Sequence, residues 1–144
     1  MVKDNFEKAV NFVLKWEGNY SNDKDDYGGE TKYGISKRSY PDLDIKNLTI
    51  EKAKEIYRKN YWEKMKCDNL PYPMDIIVFD TSVNMGISTA QELLKKSNND
   101  PKEFMILRIK KYKEIITKNK KLEKFFIGWI NRVIDLYLFT GGNK

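Results

Sequence analysis

Histidine is absent from this 144-residue sequence, and cysteine occurs once, as Cys67. The first absence excludes Ser-His-Asp triads, Cys-His pairs and His-ligated zinc. Acid–base chemistry near neutral pH must then come from Asp, Glu, Lys, Tyr or Cys. The second excludes an internal disulfide framework, so the fold does not depend on an oxidising compartment. Cys67 itself reads as incidental. Long apolar runs are lacking too. The most apolar stretch, residues 125–139, is broken by Asn131, Arg132 and Asp135 and is too short to span a bilayer comfortably. It reads as a buried helix, and no stable membrane insertion is expected. The first residues carry Asp4, Glu7 and Glu17, with no uninterrupted apolar core and no small-residue cleavage site, so no signal peptide is expected there. No repeat, low-complexity run or linker divides the chain, and residues 1–144 read as a single domain.

What is present is a globular balance, 40% hydrophobic and 33% charged, which excludes a disordered chain. A chain of this length buries ~68% of its unfolded surface and needs no staples. The net charge of +6 suits a polyanionic partner: nucleic acid, an anionic membrane surface or a cell-wall polymer. Charge alone does not choose among them. No nucleic-acid-binding motif accompanies it, and nucleic acid is not expected as a partner.

Helical periodicity dominates. Residues 4–17 read as a helix capped by Asp4, with Glu7 completing a capping box and Phe6, Val10, Val13 and Leu14 on one face. Glu17 then lies at the edge of that face, and Gly18 stops the helix. Residues 18–36 are rich in Gly, Asn, Asp and Ser. They read as a loop with a short β-hairpin, the only place where strand is expected, with a tight turn at Gly28-Gly29. Thr49 caps a helix to about Trp62 with Ala53, Ile56, Tyr57 and Tyr61 inward. A break at residues 69–73 precedes residues 74–84, apolar nearly all round, which read as the central buried helix. Ser88 with Gln91 forms another capping box, and Asp100-Pro101 with Glu103 is the best helix start in the chain. A final helix covers about residues 122–139. The fold class is α+β, mostly α-helical.

The chemistry concentrates between Trp16 and Ile35. A carboxylate, Glu17, ends an amphipathic helix beside an indole, and Asp23, Asp25 and Asp26 follow within nine positions on a glycine-rich turn. Glycosidic bond cleavage needs this inventory: one carboxyl that keeps its proton and gives it to the leaving oxygen, and a second that stays ionised. Partial burial of Glu17 would favour its neutral form, whereas the Asp cluster lies in a hydrated loop. The bland alternatives are a solvated helix end and an ordinary Asp-rich turn. A calcium loop fits poorly, because the twelve-residue spacing that ends in a bidentate Glu is absent. No metal or other cofactor is expected. Most of the nineteen aromatics read as core, among them Phe6, Phe79, Phe104, Trp129 and Phe139. Tyr20, Tyr27 and Tyr33 lie in the loop and are candidates for a sugar-binding cleft. Asn84, inside an apolar helix, is either a structural bridge to the loop or a ligand for a sugar amide. The run Lys110, Lys111, Tyr112, Lys113 and the later Lys118, Lys120 and Lys121 read as a solvated face that could hold anionic wall polymer.

The segment also resembles the signature of glycoside hydrolase family 108, bacterial and phage N-acetylmuramidases with a lysozyme-like fold. Glu17, Gly18, Tyr20, Asn22, Asp23, Asp26, Gly28, Gly29, Thr31, Gly34 and Ile35 match it. So do Phe79-Asp80 with Val83-Asn84 and Gly86, and Gly128-Trp129 with Asn131-Arg132. Asn19 stands where the family commonly has a second glycine, and Lys24 and Tyr27 stand where prolines are common. The resemblance implies that Glu17 is the general acid, with roles split between carboxyls as in lysozyme. The order Glu17, Asp26, Thr31 is similar to the Glu-Asp-Thr order of phage lysozymes, which implies that Asp26 and Thr31 position water; Asp23 and Asp25 compete with Asp26 for that role. The implied activity is hydrolysis of the β-1,4 bond between N-acetylmuramic acid and N-acetylglucosamine, by an enzyme expected to be a monomer and to act on peptidoglycan glycan strands. A phage origin would imply synthesis in the host cytoplasm and release to the wall by a holin-like partner. Alternatives are a lytic transglycosylase of the same fold and a non-catalytic wall-binding or virion protein.

Overall fold

The computed structural model describes residues 5–22 and 29–141. The chain separates into two compact units, Met1–Lys64 and Met65–Lys144, and each is described by itself.

The first unit opens with α1, Phe6–Glu17, which buries Phe6, Ala9, Val10, Phe12 and Val13. Leu14, expected on the inner face, is half-buried, and Phe12 is buried instead. The cap position falls on Asn5, whose side chain makes no cap bond. The expected cap, Asp4, lies outside the described residues. The capping box that Glu7 was to close with Asp4 lies there too; the Glu7 carboxylate pairs with Lys54 on the next helix. After α1 come two short antiparallel strands, β1 (Thr31–Lys32) and β2 (Ile35–Ser36), in register Thr31↔Ser36 and Lys32↔Ile35. Among the described residues this hairpin is the whole sheet, in the segment where the sequence places it. The Gly28-Gly29 turn falls partly outside the described residues.

Helix α2, Ile50–Tyr57, starts as the sequence indicates: the Thr49 hydroxyl accepts from the Lys52 backbone N–H at 3.1 Å. It then widens into a π turn, Arg58–Trp62. The extra residue per turn rotates the face, so Trp62 is buried where Tyr61 was expected, and Tyr61 is only half-buried. The Trp62 ring meets Phe6 edge-on at 5.5 Å.

In the second unit, a 3-10 turn (Cys67–Asn69) leads to α3, Met74–Met85, in which every residue from Met74 to Ser82 is buried. It packs against α4 (Ile87–Ser97) and α5 (Pro101–Lys118), as expected for a helix apolar all round. Ser88 does not cap α4: the helix starts at Ile87, and Gly86, at φ 96°, takes the cap position two residues earlier. The start of α5 is as read, with Asp100 Oδ1 accepting from the Lys102 N–H at 3.1 Å and Pro101 in the first turn. The chain ends in a 3-10 segment, Lys120–Phe125, and α6, Phe126–Phe139.

Helix α6 departs from the expectation of a buried helix. Only Arg132, Val133 and Leu136 are buried within it, and Phe139, read as core, is exposed. Trp129 is half-buried and stacks on Tyr112 at 4.8 Å. The buried arginine explains the inversion. Arg132 donates from Nε (3.1 Å) and Nη2 (2.8 Å) to Asp80 Oδ1, and Arg108 donates from Nη1 to Asp80 Oδ2 at 2.8 Å. Arg108 also donates to Thr81 Oγ1 (2.9 Å) and to the Tyr112 hydroxyl (3.0 Å). Burial opposes ionisation of Asp80, but the two guanidiniums outweigh it and hold the carboxyl below its usual range. The helix turns the face that carries Arg132 inward, and its apolar residues on the other side remain outside.

Candidate active site

Glu17 is the last residue of α1. Gly18, at φ 77°, ends the helix there, with its N–H donating to the Leu14 carbonyl at 3.3 Å. A left-handed residue at this point suits glycine and turns the chain sharply after the carboxylate. Glu17 is half-buried.

The chain returns to Glu17 through the hairpin. Ser21 and Thr31 exchange two backbone hydrogen bonds of 2.8 Å, which anchors the segment after α1 to β1. Tyr33 and Gly34 form the two-residue turn, both with positive φ (53° and 81°), the geometry of a type I′ hairpin. Only glycine fits at the second position. A Cβ there would collide with the Tyr57 hydroxyl and lie 2.9 Å from both Cβ and Cγ of Glu17. The turn therefore rests directly on the Glu17 stem. Tyr57, on α2, holds it in place by donating from its hydroxyl to the Tyr33 carbonyl at 2.6 Å.

Tyrosines continue this wall. The Tyr57 and Tyr61 rings lie 5.6 Å apart. Burial pushes the Tyr61 hydroxyl above its usual range, and neighbouring Tyr40 and the Glu17 carboxylate push it the same way. Tyr40 accepts from the Asn60 side chain at 2.9 Å. Beside Tyr40 and Asn60 a groove of about 570 Å³ opens, also lined by Lys52, Glu55 and Arg58.

The candidates named from sequence fall in three groups. Glu17 and Tyr33 are brought together through Gly34 and Tyr57. Thr31 and Tyr20 lie further along the same hairpin region; Tyr20 is exposed, and its hydroxyl donates to Glu30 Oε2 at 2.6 Å. That hydrogen bond raises the Tyr20 hydroxyl above its usual range. Asp23, Asp25, Asp26 and Tyr27 lie outside the described residues. Asn84 belongs to the second unit, where its side-chain carbonyl accepts from Arg108 Nη2 at 3.3 Å and from the Tyr112 hydroxyl. Within this unit its side chain bridges to α5. Among the described residues no three His, Cys, Asp or Glu side chains converge as a metal site requires.

Sequence reasoning missed Tyr57 and Glu30 as parts of this site, and named Gly34 as a motif residue without its contact with Glu17. A Tyr-Gly pair between two short β-prone runs was the available signal for the turn. The inward Tyr57 was read as core, and its hydroxyl needed an acceptor that only the folded hairpin supplies.

The family model described as glycosyl hydrolase 108 matches residues 10–86. The chain belongs to the glycosyl hydrolase 108 family. The matched region contains Glu17, the hairpin and Asn84, and it ends before the Gly128–Arg132 segment. Among solved structures, this glycosyl hydrolase is similar to SagA from Brucella abortus, with 25% identity, a TM-score of 0.75, and coverage of 92% of this chain and 91% of that one. No curated protein matches the sequence. The mostly helical, lysozyme-like α+β class read from the sequence holds. So does the motif-based family assignment, and two of the segments that carried it meet physically: Asp80 of one is the ion partner of Arg132 in the other.

Proposed function

We propose that this glycosyl hydrolase 108 member is a muramidase that cleaves the β-1,4 bond between N-acetylmuramic acid and N-acetylglucosamine in peptidoglycan, with Glu17 as general acid. The observation that carries the reading is the seat of Glu17. Glu17, half-buried at a helix end, has the Cβ and Cγ of its stem against a glycine turn that leaves room for nothing larger, and its charge acts on Tyr61 of the neighbouring tyrosine cluster. Fixed placement is what general acid catalysis needs, because the proton must lie within hydrogen-bond reach of the leaving oxygen.

In this mechanism Glu17 gives its proton to the glycosidic oxygen as the bond to the anomeric carbon breaks. Water adds to that carbon and loses a proton to a second carboxylate. Asp26 is assigned that role, with Thr31 helping to orient the water and Tyr20, Tyr27, Tyr33 and Asn84 contacting sugar. Exposed lysines of α5 and the segment after it favour encounter with an anionic wall.

The test is mass analysis of the fragments released from purified cell walls. Hydrolysis gives reducing N-acetylmuramic acid ends, and Glu17→Gln, folded normally, loses activity by ~100-fold or more. Anhydro ends would instead mean a transglycosylase, and no fragments would mean an inert wall binder. Near-normal cleavage by folded Glu17→Gln would overturn the mechanism.

A further inference from the structure

The outer side of α6 carries an apolar stripe that the glycosidase reading does not use. Ile127, Ile134 and Leu138 are 69%, 52% and 53% exposed. At 100° per residue their spacing of seven and then four places them on one line along the helix, with Asn131 filling the remaining position. Single exposed apolar residues are ordinary. Three in register, opposite a face that buries Arg132, Val133 and Leu136, make a contiguous stripe and mark an interaction surface.

Charge indicates what covers it. The 3-10 segment Lys120–Phe125 leads straight into α6, and residues three apart eclipse in such a helix. Lys121 and Lys124 therefore eclipse, and Ile127 follows in the first turn of α6, so a cationic pair stands at the head of the apolar stripe. Lys120, Lys121 and Lys124 are all exposed, and the Lys124 ammonium sits 5.3 Å from the centre of the exposed Phe125 ring. Apart from the buried, ion-paired Arg108, residues 102–124 hold eight lysines and three acidic side chains. A second copy of the chain would set this positive charge against itself. An anionic lipid surface accepts both halves: phosphate headgroups for the lysines and the acyl boundary for the stripe. At 14 residues α6 is too short to span a bilayer, and among the described residues no helix is long and apolar enough to cross one. The geometry of a helix lying in the interface remains.

We propose that the outer face of α6, with Lys121 and Lys124 at its head, docks the protein on anionic phospholipid membranes. The inference is independent of the activity proposed above.

The experiment is co-sedimentation of the full chain with vesicles of equal parts phosphatidylglycerol and phosphatidylcholine, against vesicles of phosphatidylcholine alone. Binding to the anionic vesicles should be stronger by ~10-fold or more, since each lysine near such a surface is worth about fivefold in partitioning. Lys121→Gln with Lys124→Gln should remove most of that preference. Ile127→Ser, Ile134→Ser and Leu138→Ser together should weaken anionic binding by ~10-fold or more, because each buried methylene contributes to interfacial anchoring. All five side chains face solvent, so both variants should keep the wild-type circular dichroism and melting temperature. Equal binding to the two vesicle types would overturn the proposal. So would a stripe variant that binds anionic vesicles as well as wild type. Self-association of the wild type that the serine variant abolishes, without vesicle binding, would assign the stripe to a second copy instead. Binding to purified anionic wall polymer that depends on the stripe, without vesicle binding, would assign it to the wall.

Discussion

Gly34 rests on Glu17: a side chain at the glycine would come within 2.9 Å of the Cβ and Cγ of the glutamate. The contact joins the two ends of the loop that contains the other candidate acids. It makes the position of the carboxyl depend on a backbone turn 17 residues away.

Gly34→Ala should therefore harm both stability and activity. The left-handed backbone at φ 81° costs ~1–2 kcal/mol for any residue with a Cβ, and the clash with Tyr57 and Glu17 adds to it. Displacing Glu17 by even part of an ångström should lower wall cleavage by ~10–100-fold. Urea denaturation and turbidity assays on walls measure the two effects. Wild-type activity in the alanine variant would show that the turn does not position Glu17.

Tyr57→Phe removes the hydroxyl that ties the turn to α2 and leaves the ring in place. Loss of one such bond should cost ~0.5–1.5 kcal/mol and reduce activity several-fold. In the Glu17→Gln background the same change should have no further effect on cleavage, because a positioning residue acts only through the group that it positions. An additional loss in the double variant would give Tyr57 a role of its own in the reaction.

The three loop aspartates separate by substitution to asparagine. Asp26→Asn should be as damaging as Glu17→Gln if Asp26 directs water, with a loss of ~100-fold or more. Asp23→Asn and Asp25→Asn should be milder. A dead Asp23 or Asp25 variant beside an active Asp26 variant would keep the reaction and move the second carboxylate.

Asp80 sets an acid limit on the second unit. Its carboxyl titrates below the usual range in the folded protein, so the stability it contributes is fully present above its unfolded value, about 3.9. That stability is lost as pH falls through the lower folded value. Asp80→Asn should cost ~3–5 kcal/mol near neutral pH, because it leaves two buried guanidiniums uncompensated. The variant should also lose less further stability than wild type between pH 4 and pH 2. Parallel acid titrations of wild type and variant, followed by circular dichroism, would contradict this assignment if the two curves kept a constant offset.

Ionic strength should act on whole-wall lysis more than on cleavage of short soluble glycans. Exposed Lys110, Lys113, Lys118, Lys120 and Lys121 attract an anionic polymer over distances that salt screens, with a Debye length of ~8 Å at physiological strength. Equal salt sensitivity for both substrates would remove the lysines from substrate capture.

The parts of the fold that were legible in sequence are those fixed by local chemistry. Thr49 and Asp100-Pro101 mark helix starts because capping is decided within three residues, and the hairpin falls in the one segment rich in turn formers. The illegible parts depend on residues far apart or on a shift in helical phase. The π turn at Arg58–Trp62 exchanges Tyr61 for Trp62, and no periodicity announces the extra residue. The hydrophobicity of residues 125–139 suggests burial, yet the packed face is chosen by Arg132, whose partner is 52 positions earlier. At the site, Glu17 stood out as a carboxylate at the end of an apolar face. Its dependence on Tyr57 and Gly34 comes only from the return of the chain, which spacing along one helix does not encode.

The Asp80 cluster also has a consequence in time. Arg132 makes two bonds to Asp80 Oδ1, while Arg108 serves the other oxygen. During synthesis at ~5–20 residues per second, Arg132 is added several seconds after Asp80. Until then Oδ1 lacks the two donors that Arg132 supplies in the folded protein. A chain stalled before Arg132 would lack those donors, and we expect its second unit to be cleaved by proteases faster than that of the complete chain.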